Sequence, residues 1–180
     1  GGIPAEVVAA GDRPAGAAID GEISAIGQGV PVVLSGRTPF DRWARANVVR
    51  GAANGTVSAY ATADLGDLTA EQFRGLARLQ RRFDASVRLS NRQNVVFRDL
   101  DDDDLPDLHQ ALLELGMASP GAELVRDVVA CPGADTCNLA VTQSRGLGKG
   151  IGGRREEEGL AEVGGIRINI SGCPNSCGQH

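Results

Sequence analysis

Four cysteines in two close pairs constrain this chain more than any other feature of its sequence. Cys131 and Cys137 form a C-x5-C pair, and Cys173 and Cys177 form a C-x3-C pair about 35 residues later. Two pairs of thiolates can hold Zn²⁺ or an iron–sulfur cluster. Zinc sites commonly use gaps of about two to four residues, so that one turn supplies two ligands of a tetrahedral ion. The wider first gap favours a larger centre, and the spacing therefore puts an iron–sulfur cluster ahead of zinc.

Glycine and proline surround the cysteines, at Pro132, Gly133, Gly172, Pro174 and Gly178. These residue types allow tight turns and a close approach of the backbone, so amide N–H groups can point at sulfur. Residues 138–145 are expected to begin a helix whose dipole would favour an anionic cluster. Disulfide bonds within the pairs are the weaker alternative, because nothing else in the sequence suggests an oxidising compartment.

Length and charge exclude several classes of protein. The chain has 180 residues and a formal net charge of −5, which is enough for one core and argues against a general nucleic-acid binder. No apolar run approaches the roughly 18 residues of a membrane span. The start shows neither an initiator Met nor a signal peptide, so we expect a cytoplasmic protein and a chain that is an internal fragment.

The hydrophobic pattern predicts an alternation of strands and helices. A capping box at Thr69 and Gln72 marks the start of one helix, and Gly116 marks the end of another. The predicted order is strand, helix, strand, strand, helix, strand. The first four elements lie at residues 56–62, 69–83, 87–90 and 94–98, the second helix carries Leu108, Leu112, Leu113 and Leu115, and the last strand lies at 123–130. This β-α-β-β-α-β order is typical of a ferredoxin-like fold, so we predict an α+β chain.

A glycine motif follows the first cysteine pair. Gly148, Gly150 and Gly153 match G-x-G-x-x-G, but the motif does not follow a strand inside a β-α-β unit, so dinucleotide binding is not indicated. We expect a loop at these glycines and a solvated helix start at residues 154–158.

Four separated runs resemble the sirohaem-containing nitrite and sulfite reductases. They are VVACPGADTCNLAVTQSRGL at 128–147, INISGCPNSCGQH at 168–180, GDLTAEQFRGLARL at 66–79 and VRLSNRQNVVF at 87–97. The resemblance covers residues 40–180 and implies three parts. Residues 1–36 would be a linker or the tail of an upstream domain, and residues 37–127 a ferredoxin-like half-domain. Residues 128–180 would be the truncated start of an α/β cluster-binding domain.

The resemblance also implies roles for single residues. Cys131, Cys137, Cys173 and Cys177 would ligate a [4Fe–4S] cluster, and Cys177 would also be the axial ligand of the sirohaem iron. Asn175 and Gln93 match positions near the cofactors. Sirohaem carries many carboxylates, which Arg binds well, and the candidate clamps are Arg88, Arg92 and Arg126.

The implied activity is the six-electron reduction of nitrite to ammonia or of sulfite to sulfide, with ferredoxin or a similar protein as electron donor. The run GCPNSCGQ lies closer to the nitrite branch of the family. Proteins of the family are several times longer and have two related halves. The first half supplies most substrate-binding Arg and Lys residues and is missing here, so we assign no catalytic residue and expect the chain alone to be inactive. Two alternatives are an iron–sulfur electron-transfer module without sirohaem and a structural zinc domain.

Overall fold

A computed structural model describes residues 37–51, 55–122, 127–158 and 166–178. These residues form four helices, α1 Pro39–Asn47, α2 Ala70–Arg82, α3 Leu105–Glu114 and α4 Ser144–Glu157. They also form six strands, β1 Val48–Arg50, β2 Val57–Ala61, β3 Ser86–Leu89, β4 Val95–Leu100, β5 Val129–Ala130 and β6 Asn169–Ile170. The expected linker at 1–36 lies outside the described residues, as does Arg126.

The start of helix α2 confirms the capping box expected from the sequence. The Gln72 N–H donates to the Thr69 hydroxyl at 3.1 Å, and the Thr69 N–H donates to the Gln72 side-chain oxygen at 2.9 Å. Two backbone donors that the first turn leaves without helical partners are thereby satisfied. Helix α1, which the sequence pattern does not predict, begins with the same device at Thr38 and Asp41.

The main sheet has the strand order β1-β2-β4-β3, and all its pairs are antiparallel. Strands β3 and β4 form a hairpin in which Ser86 faces Arg98 and Leu89 faces Val95. Strands β2, β3 and β4 confirm the predictions at 56–62, 87–90 and 94–98 to within two residues. The fold is the expected α+β arrangement with a ferredoxin-like half-domain.

The structure describes residues 127–130 of the final strand predicted at 123–130, and the prediction that this strand belongs to the main sheet is wrong. Only Val129–Ala130 is a strand there, and it pairs in parallel with β6 in a separate two-stranded sheet. The outer position beside β2 belongs to β1, which pairs Val48 with Ala59. Strand β1 follows α1 without a linker. Its connection to β2 is short, and consecutive strands joined by a short connection commonly pair as neighbours.

The helices cover one face of the main sheet and form the larger core. Every second residue of β2 faces them, so Val57, Ala59 and Ala61 pack with Phe97 of β4 and Trp43 of α1. Tyr60 and Val96 point to the opposite face and pack against Ala122. This alternation follows from the two-residue period of a strand.

An aromatic cluster joins α1 to α3. The His109 ring lies 4.9 Å from the Trp43 ring and 5.5 Å from the Phe40 ring, centroid to centroid. Burial lowers the pKa of His109 below its ordinary value of 6.5, because a charged imidazole loses its hydration here. The histidine therefore packs as a neutral aromatic ring.

Asn47 connects three segments from inside the protein. Its amide nitrogen donates to the carbonyl oxygens of Tyr60 at 3.2 Å and Ser119 at 3.0 Å. Its oxygen accepts from the N–H groups of Gly121 at 2.9 Å and Ala122 at 3.3 Å. The side chain is fully buried, and these four bonds make its burial tolerable.

The segment after Asp127 differs from expectation at two places. Residues 138–143 form turns, and the helix begins only at Ser144. The N–H groups of Val141 and Thr142 donate to the Gly172 carbonyl, so they bind the other cysteine loop instead of starting a helix. The glycine motif lies inside α4 and is not a loop, and residues 154–157 end this helix instead of starting one. None of the helices in the described ranges is long and apolar enough to cross a membrane.

Candidate functional site

The structure brings the two cysteine loops together. The first loop follows β5 and the second follows β6, so the pairing of these strands sets the loops side by side. The Cys131 N–H donates to the Ile170 carbonyl at 3.1 Å, and the Gly172 N–H donates to the Cys131 sulfur at 3.2 Å. In the opposite direction, the Val141 N–H donates to the Gly172 carbonyl at 2.9 Å. Hydrogen bonds therefore hold the two loops together, although their cysteines are about 40 positions apart in sequence.

Glycines allow this approach, as the sequence suggested. A Cβ on Gly172 would lie 3.0 Å from the Gly133 Cα, and a Cβ on Gly178 would lie 2.3 Å from the Ile170 carbonyl oxygen. Gly133 has a φ of 59°, and a Cβ there would lie 2.3 Å from the Ser144 hydroxyl. A larger residue at Gly172 would push the two loops apart, whereas larger residues at Gly178 and Gly133 would distort the second and the first loop, respectively.

Cys131 is buried and its sulfur is hydrogen-bonded. The Ser144 hydroxyl oxygen lies 3.3 Å from this sulfur, and the hydroxyl donates to the Cys131 carbonyl at 2.7 Å. The Ser144 hydroxyl and the Gly172 N–H hold the pKa of the Cys131 thiol below its ordinary value. A lowered pKa favours the thiolate, which is the form that binds metals.

The other three cysteines are more accessible. Cys137 and Cys177 are exposed, Cys173 is half-buried, and all four thiols are free. Within the described ranges, no three His, Cys, Asp or Glu side chains lie together in a group that could hold a metal ion. The donor set nevertheless suits an iron–sulfur cluster, because four free thiols lie on two adjoining loops and one sulfur already accepts a backbone N–H. Their convergence on one centre stays a prediction.

Gln93 reaches the strand that carries the first cysteine. Its side-chain nitrogen donates to the Ala130 carbonyl at 3.1 Å, and its side-chain oxygen accepts from the Ala130 N–H at 3.4 Å. Ala130 immediately precedes Cys131. The structure thus places this sequence-predicted residue beside the cysteine loops, with its amide directed to the backbone.

Arg92 and Asn94 flank Gln93 and hold Asp127. The Arg92 guanidinium lies 3.8 Å from an Asp127 carboxylate oxygen, and both side chains are more than nine-tenths buried. The Asn94 amide donates to the same oxygen at 2.8 Å and accepts from the Ala63 N–H at 3.1 Å. Arg92, predicted as a clamp for cofactor carboxylates, faces a carboxylate of the chain itself.

Two further candidates are open to solvent. Arg88 is exposed on β3, and its guanidinium donates to the neighbouring Val87 carbonyl at 2.9 Å. Asn175 is exposed between the last two cysteines. Both side chains are available to a ligand.

Three further residues at the site, Ser144, Asp127 and Asn94, were not predicted from the sequence. Ser144 carries no motif, and only the fold brings its hydroxyl to Cys131. Asp127 and Asn94 lie next to residues that were singled out, Val128 and Gln93. An acidic residue in the middle of the β-rich run at 123–130 is the signal that could have drawn attention to Asp127.

A cavity of about 370 Å³ lies between the half-domain and α4. Its wall includes Asp64, Asp127, Lys149 and Arg155, together with glycines of α4. Two acidic and two basic side chains give this wall no clear preference for an anion or a cation.

Comparison with known proteins identifies the fold and its relatives. The nitrite/sulfite reductase ferredoxin-like half domain matches residues 50–115, from the last residue of β1 to the end of α3. These 66 of the 180 residues are therefore similar to that half domain. The structure of the Mycobacterium tuberculosis NirA protein has the same fold, with a TM-score of 0.59 and 24% identity. That match covers 74% of this chain and 25% of NirA.

The proteins whose sequences are similar to this chain are much longer. A ferredoxin–nitrite reductase of Synechococcus elongatus is 36% identical over 116 residues, which are 64% of this chain and 22% of that protein. A sulfite reductase [ferredoxin] of Mycolicibacterium paratuberculosis is 33% identical over 98 residues, 52% of this chain and 18% of that protein. The chain therefore spans about a fifth of the length of these relatives.

Proposed function

We propose that this chain is the part of a ferredoxin-dependent nitrite or sulfite reductase that binds a [4Fe–4S] cluster and sirohaem. The observation that carries the proposal is the junction of the C-x5-C and C-x3-C loops through Gly172, directly behind a half-domain of this family. We also propose that the half-domain ends at residue 127 and that the cluster segment begins at residue 128. A cytoplasmic location belongs to the proposal, because free thiols persist in a reducing compartment.

The four cysteines are the proposed cluster ligands, and Cys177 is the proposed ligand shared with the sirohaem iron. Exposure on the second loop suits Cys177 for a contact with a second, larger group. Asn175 and Arg88 are exposed and can face the sirohaem. Arg92 and Gln93 lie behind the first loop and support it, through Asp127 and Ala130 respectively.

The cofactors would supply single electrons and an iron atom at which an oxyanion is reduced. The chain's own residues favour the charged form of a ligand thiol and fix the backbone that carries it. The Gly172 N–H donates to the Cys131 sulfur, and such bonds favour negative charge on a thiolate. Ser144 holds the Cys131 carbonyl, which fixes the direction of the backbone as it leaves β5. Arg88 places a permanent positive charge where carboxylates could be bound.

The proposed reaction takes six electrons, from nitrite to ammonia or from sulfite to sulfide, with ferredoxin as the donor. Relatives of both kinds are similar to this chain. We favour nitrite because the ferredoxin–nitrite reductase has the higher identity of the two and because the run at 172–179 lies closer to that branch.

Metal analysis and a visible spectrum test the proposal. Protein purified without oxygen is expected to hold iron and acid-labile sulfide in a ratio of about 4:4, because four cysteines suit a [4Fe–4S] cluster, and to show strong visible bands of sirohaem. Stoichiometric zinc without labile sulfide would contradict the proposal and support the structural zinc alternative. Iron and sulfide with only a broad shoulder, after supply of sirohaem, would support an electron-transfer module instead.

A further inference from the structure

Strand β5 leads into Cys131 but is only two residues long. One of its edges pairs with the segment of β6. The Val129 N–H donates to the Ile168 carbonyl at 3.0 Å, and the Cys131 N–H donates to the Ile170 carbonyl at 3.1 Å. Alternate residues of a parallel strand bond to the same neighbour, so the backbone groups of Ala130 face the other edge. Two strands of this length are not stable by themselves in water.

The Gln93 side chain occupies that other edge. Its amide bonds to both the carbonyl and the N–H of Ala130, at 3.1 and 3.4 Å. Ala130 is 2% exposed, so its backbone groups have little access to water and need these partners. One side chain therefore does for Ala130 what a third strand would do.

The backbone around Gln93 is arranged for this contact. Gln93 lies in the turn between β3 and β4, with a φ of 66°, a conformation that residues other than glycine seldom adopt. A Cβ on Gly66 would lie 2.8 Å from the Gln93 Cβ, so the missing side chain of Gly66 leaves room for the turn. The tip of a hairpin in the half-domain is thus fixed against the cysteine-bearing strand.

We propose that Gln93 is a positioning residue for Cys131, because it clamps the backbone of Ala130 from the edge of β5 that β6 leaves open. The inference rests on the proposed function only for the meaning of Cys131 as a cluster ligand. Gln93 acts through Ala130. Loss of its amide frees the end of β5 and leaves the rest of the half-domain in place.

The first experiment measures the accessibility of Cys131 in metal-free protein. The variants are Gln93→Met, which keeps the length but removes both hydrogen bonds, and Gln93→Asn, which is one methylene shorter. Asn tolerates a positive φ, so this second variant withdraws the amide without adding backbone strain. Gln80→Met is the matched control, because Gln80 also donates from a partly buried amide to a backbone carbonyl, that of Ala85 at 3.1 Å.

Iodoacetamide labelling, located by fragment-ion mass spectrometry, reports the opening of β5, and urea unfolding reports global stability. We expect labelling of Cys131 to become roughly tenfold faster in both Gln93 variants, the size of effect that loss of one or two buried hydrogen bonds gives. The control is expected to label at the wild-type rate. Equal labelling in all three variants would overturn the inference. The inference would also be overturned if the labelling rate of Cys131 rose in Gln80→Met as it does in the Gln93 variants, in proportion to the loss of global stability. If Gln93→Met does not fold, Gln93→Asn decides by the same criteria.

The second experiment uses protein loaded with its cluster. Iron release to a chelator is expected to be faster in the Gln93 variants than in Gln80→Met, and the electron paramagnetic resonance signal of the reduced cluster is expected to shift only in the Gln93 variants. An unchanged release rate and signal would overturn the role toward the cluster. If no iron with labile sulfide is found, the proposed function fails, and the labelling of Cys131 alone still decides whether Gln93 positions it.

Discussion

At the scale of single residues, the four predicted ligands have different surroundings. Cys131 is buried, and its sulfur contacts Ser144 and Gly172, whereas Cys177 is exposed at the far end of the second loop. The buried thiol is held by the protein before any metal arrives. The exposed thiol is open to a second group, as the proposal of a shared ligand requires.

Replacement of Cys177 by Ser tests that shared role. In the full-length reductase, Cys177→Ser is expected to change the sirohaem spectrum and to lower activity by at least about 100-fold, because the identity of the axial ligand controls the electronic state of a haem iron. Ser176→Ala is the control, since Ser176 lies next to Cys177 and its hydroxyl bonds only within its own turn, to the Pro174 carbonyl. A sirohaem spectrum that Cys177→Ser leaves intact, with the cluster present, would show that another residue is the shared ligand.

Sequence reasoning could find the cysteines because their spacing is a property of the chain itself. It could not find that Gln93 bonds to Ala130, since the two residues are 37 positions apart and neither one alone indicates a partner. Ser144 escaped notice for the same reason. Its contact with Cys131 depends on the turns at 138–143, which use their N–H groups for the second loop.

At the scale of elements, helix α4 contains glycines with different surroundings. A Cβ on Gly148 would lie 3.0 Å from a methyl carbon of Leu65, while a Cβ on Gly150 would meet nothing within 4 Å. Gly150→Ala is expected to raise the free energy of unfolding by about 0.5–1 kcal/mol, because Ala restricts the unfolded chain and suits a helix. Gly148→Ala is expected to gain less, because Leu65 must move.

Urea unfolding of the two glycine variants gives the comparison directly. An equal gain in both would mean that α4 does not pack against Leu65 as described.

The packing of α1 on α3 makes stability depend on pH through His109. Burial lowers the pKa of His109 in the folded protein below 6.5, so the unfolded chain takes up the proton at a higher pH. The contribution of neutral His109 to the free energy of unfolding is therefore fully present above pH 6.5. It is lost as the pH falls from 6.5 toward the lowered pKa of the folded protein. The loss for one such group is at most about 1.4 kcal/mol per pH unit.

The measurement is the urea midpoint at several pH values on either side of 6.5, for wild type and for His109→Phe. The Phe variant keeps an aromatic ring beside Phe40 and Trp43 and is expected to lose part of the dependence below pH 6.5. Identical pH profiles for the two proteins would contradict a neutral, buried His109.

Local sequence signals predicted most helices and strands of the half-domain, but they did not predict how the last strand pairs. The capping box at Thr69 and Gln72 fixed the start of α2, and the alternation in β2 marked its buried face. Strand β5 has a similar apolar pattern. It was assigned to the wrong sheet because its partner, β6, lies about forty residues further along the chain, and a pattern of apolar residues does not name its partner.

At the scale of the molecule, the half-domain and the cysteine segment share a small core. Leu65 of the half-domain packs with Val128, Ala130 and Ile170, and Arg145 forms an ion pair with Asp67. The two segments therefore meet through apolar packing, an ion pair and the contacts of Gln93.

The chain of 180 residues is expected not to reduce nitrite or sulfite by itself, even after its cofactors are supplied. Stabilisation of an oxyanion needs cations placed where its charge develops. Arg145, which lies close to Cys137 in sequence, is paired with Asp67 and lies 4.0 Å from Asp135. The family resemblance implies that the substrate-binding cations would belong mostly to the other half. The test is a turnover assay with reduced methyl viologen, run in parallel on this chain and on the intact reductase. Comparable rates of ammonia or sulfide formation by the two proteins would contradict the prediction.

The pairing of β5 with β6 also has a consequence for the order in which the protein assembles. Strands β3 and β4 are joined by a five-residue turn, whereas β5 meets β6 only after about forty residues of chain have been closed into a loop. Loop closure costs more conformational entropy as the loop lengthens, and distant contacts form slowly. We therefore expect the hairpin to be complete while the cysteine loops are still apart. During that interval the thiols of a newly made chain are open to metal and to oxidants alike, so the proposed cluster would be inserted late in folding.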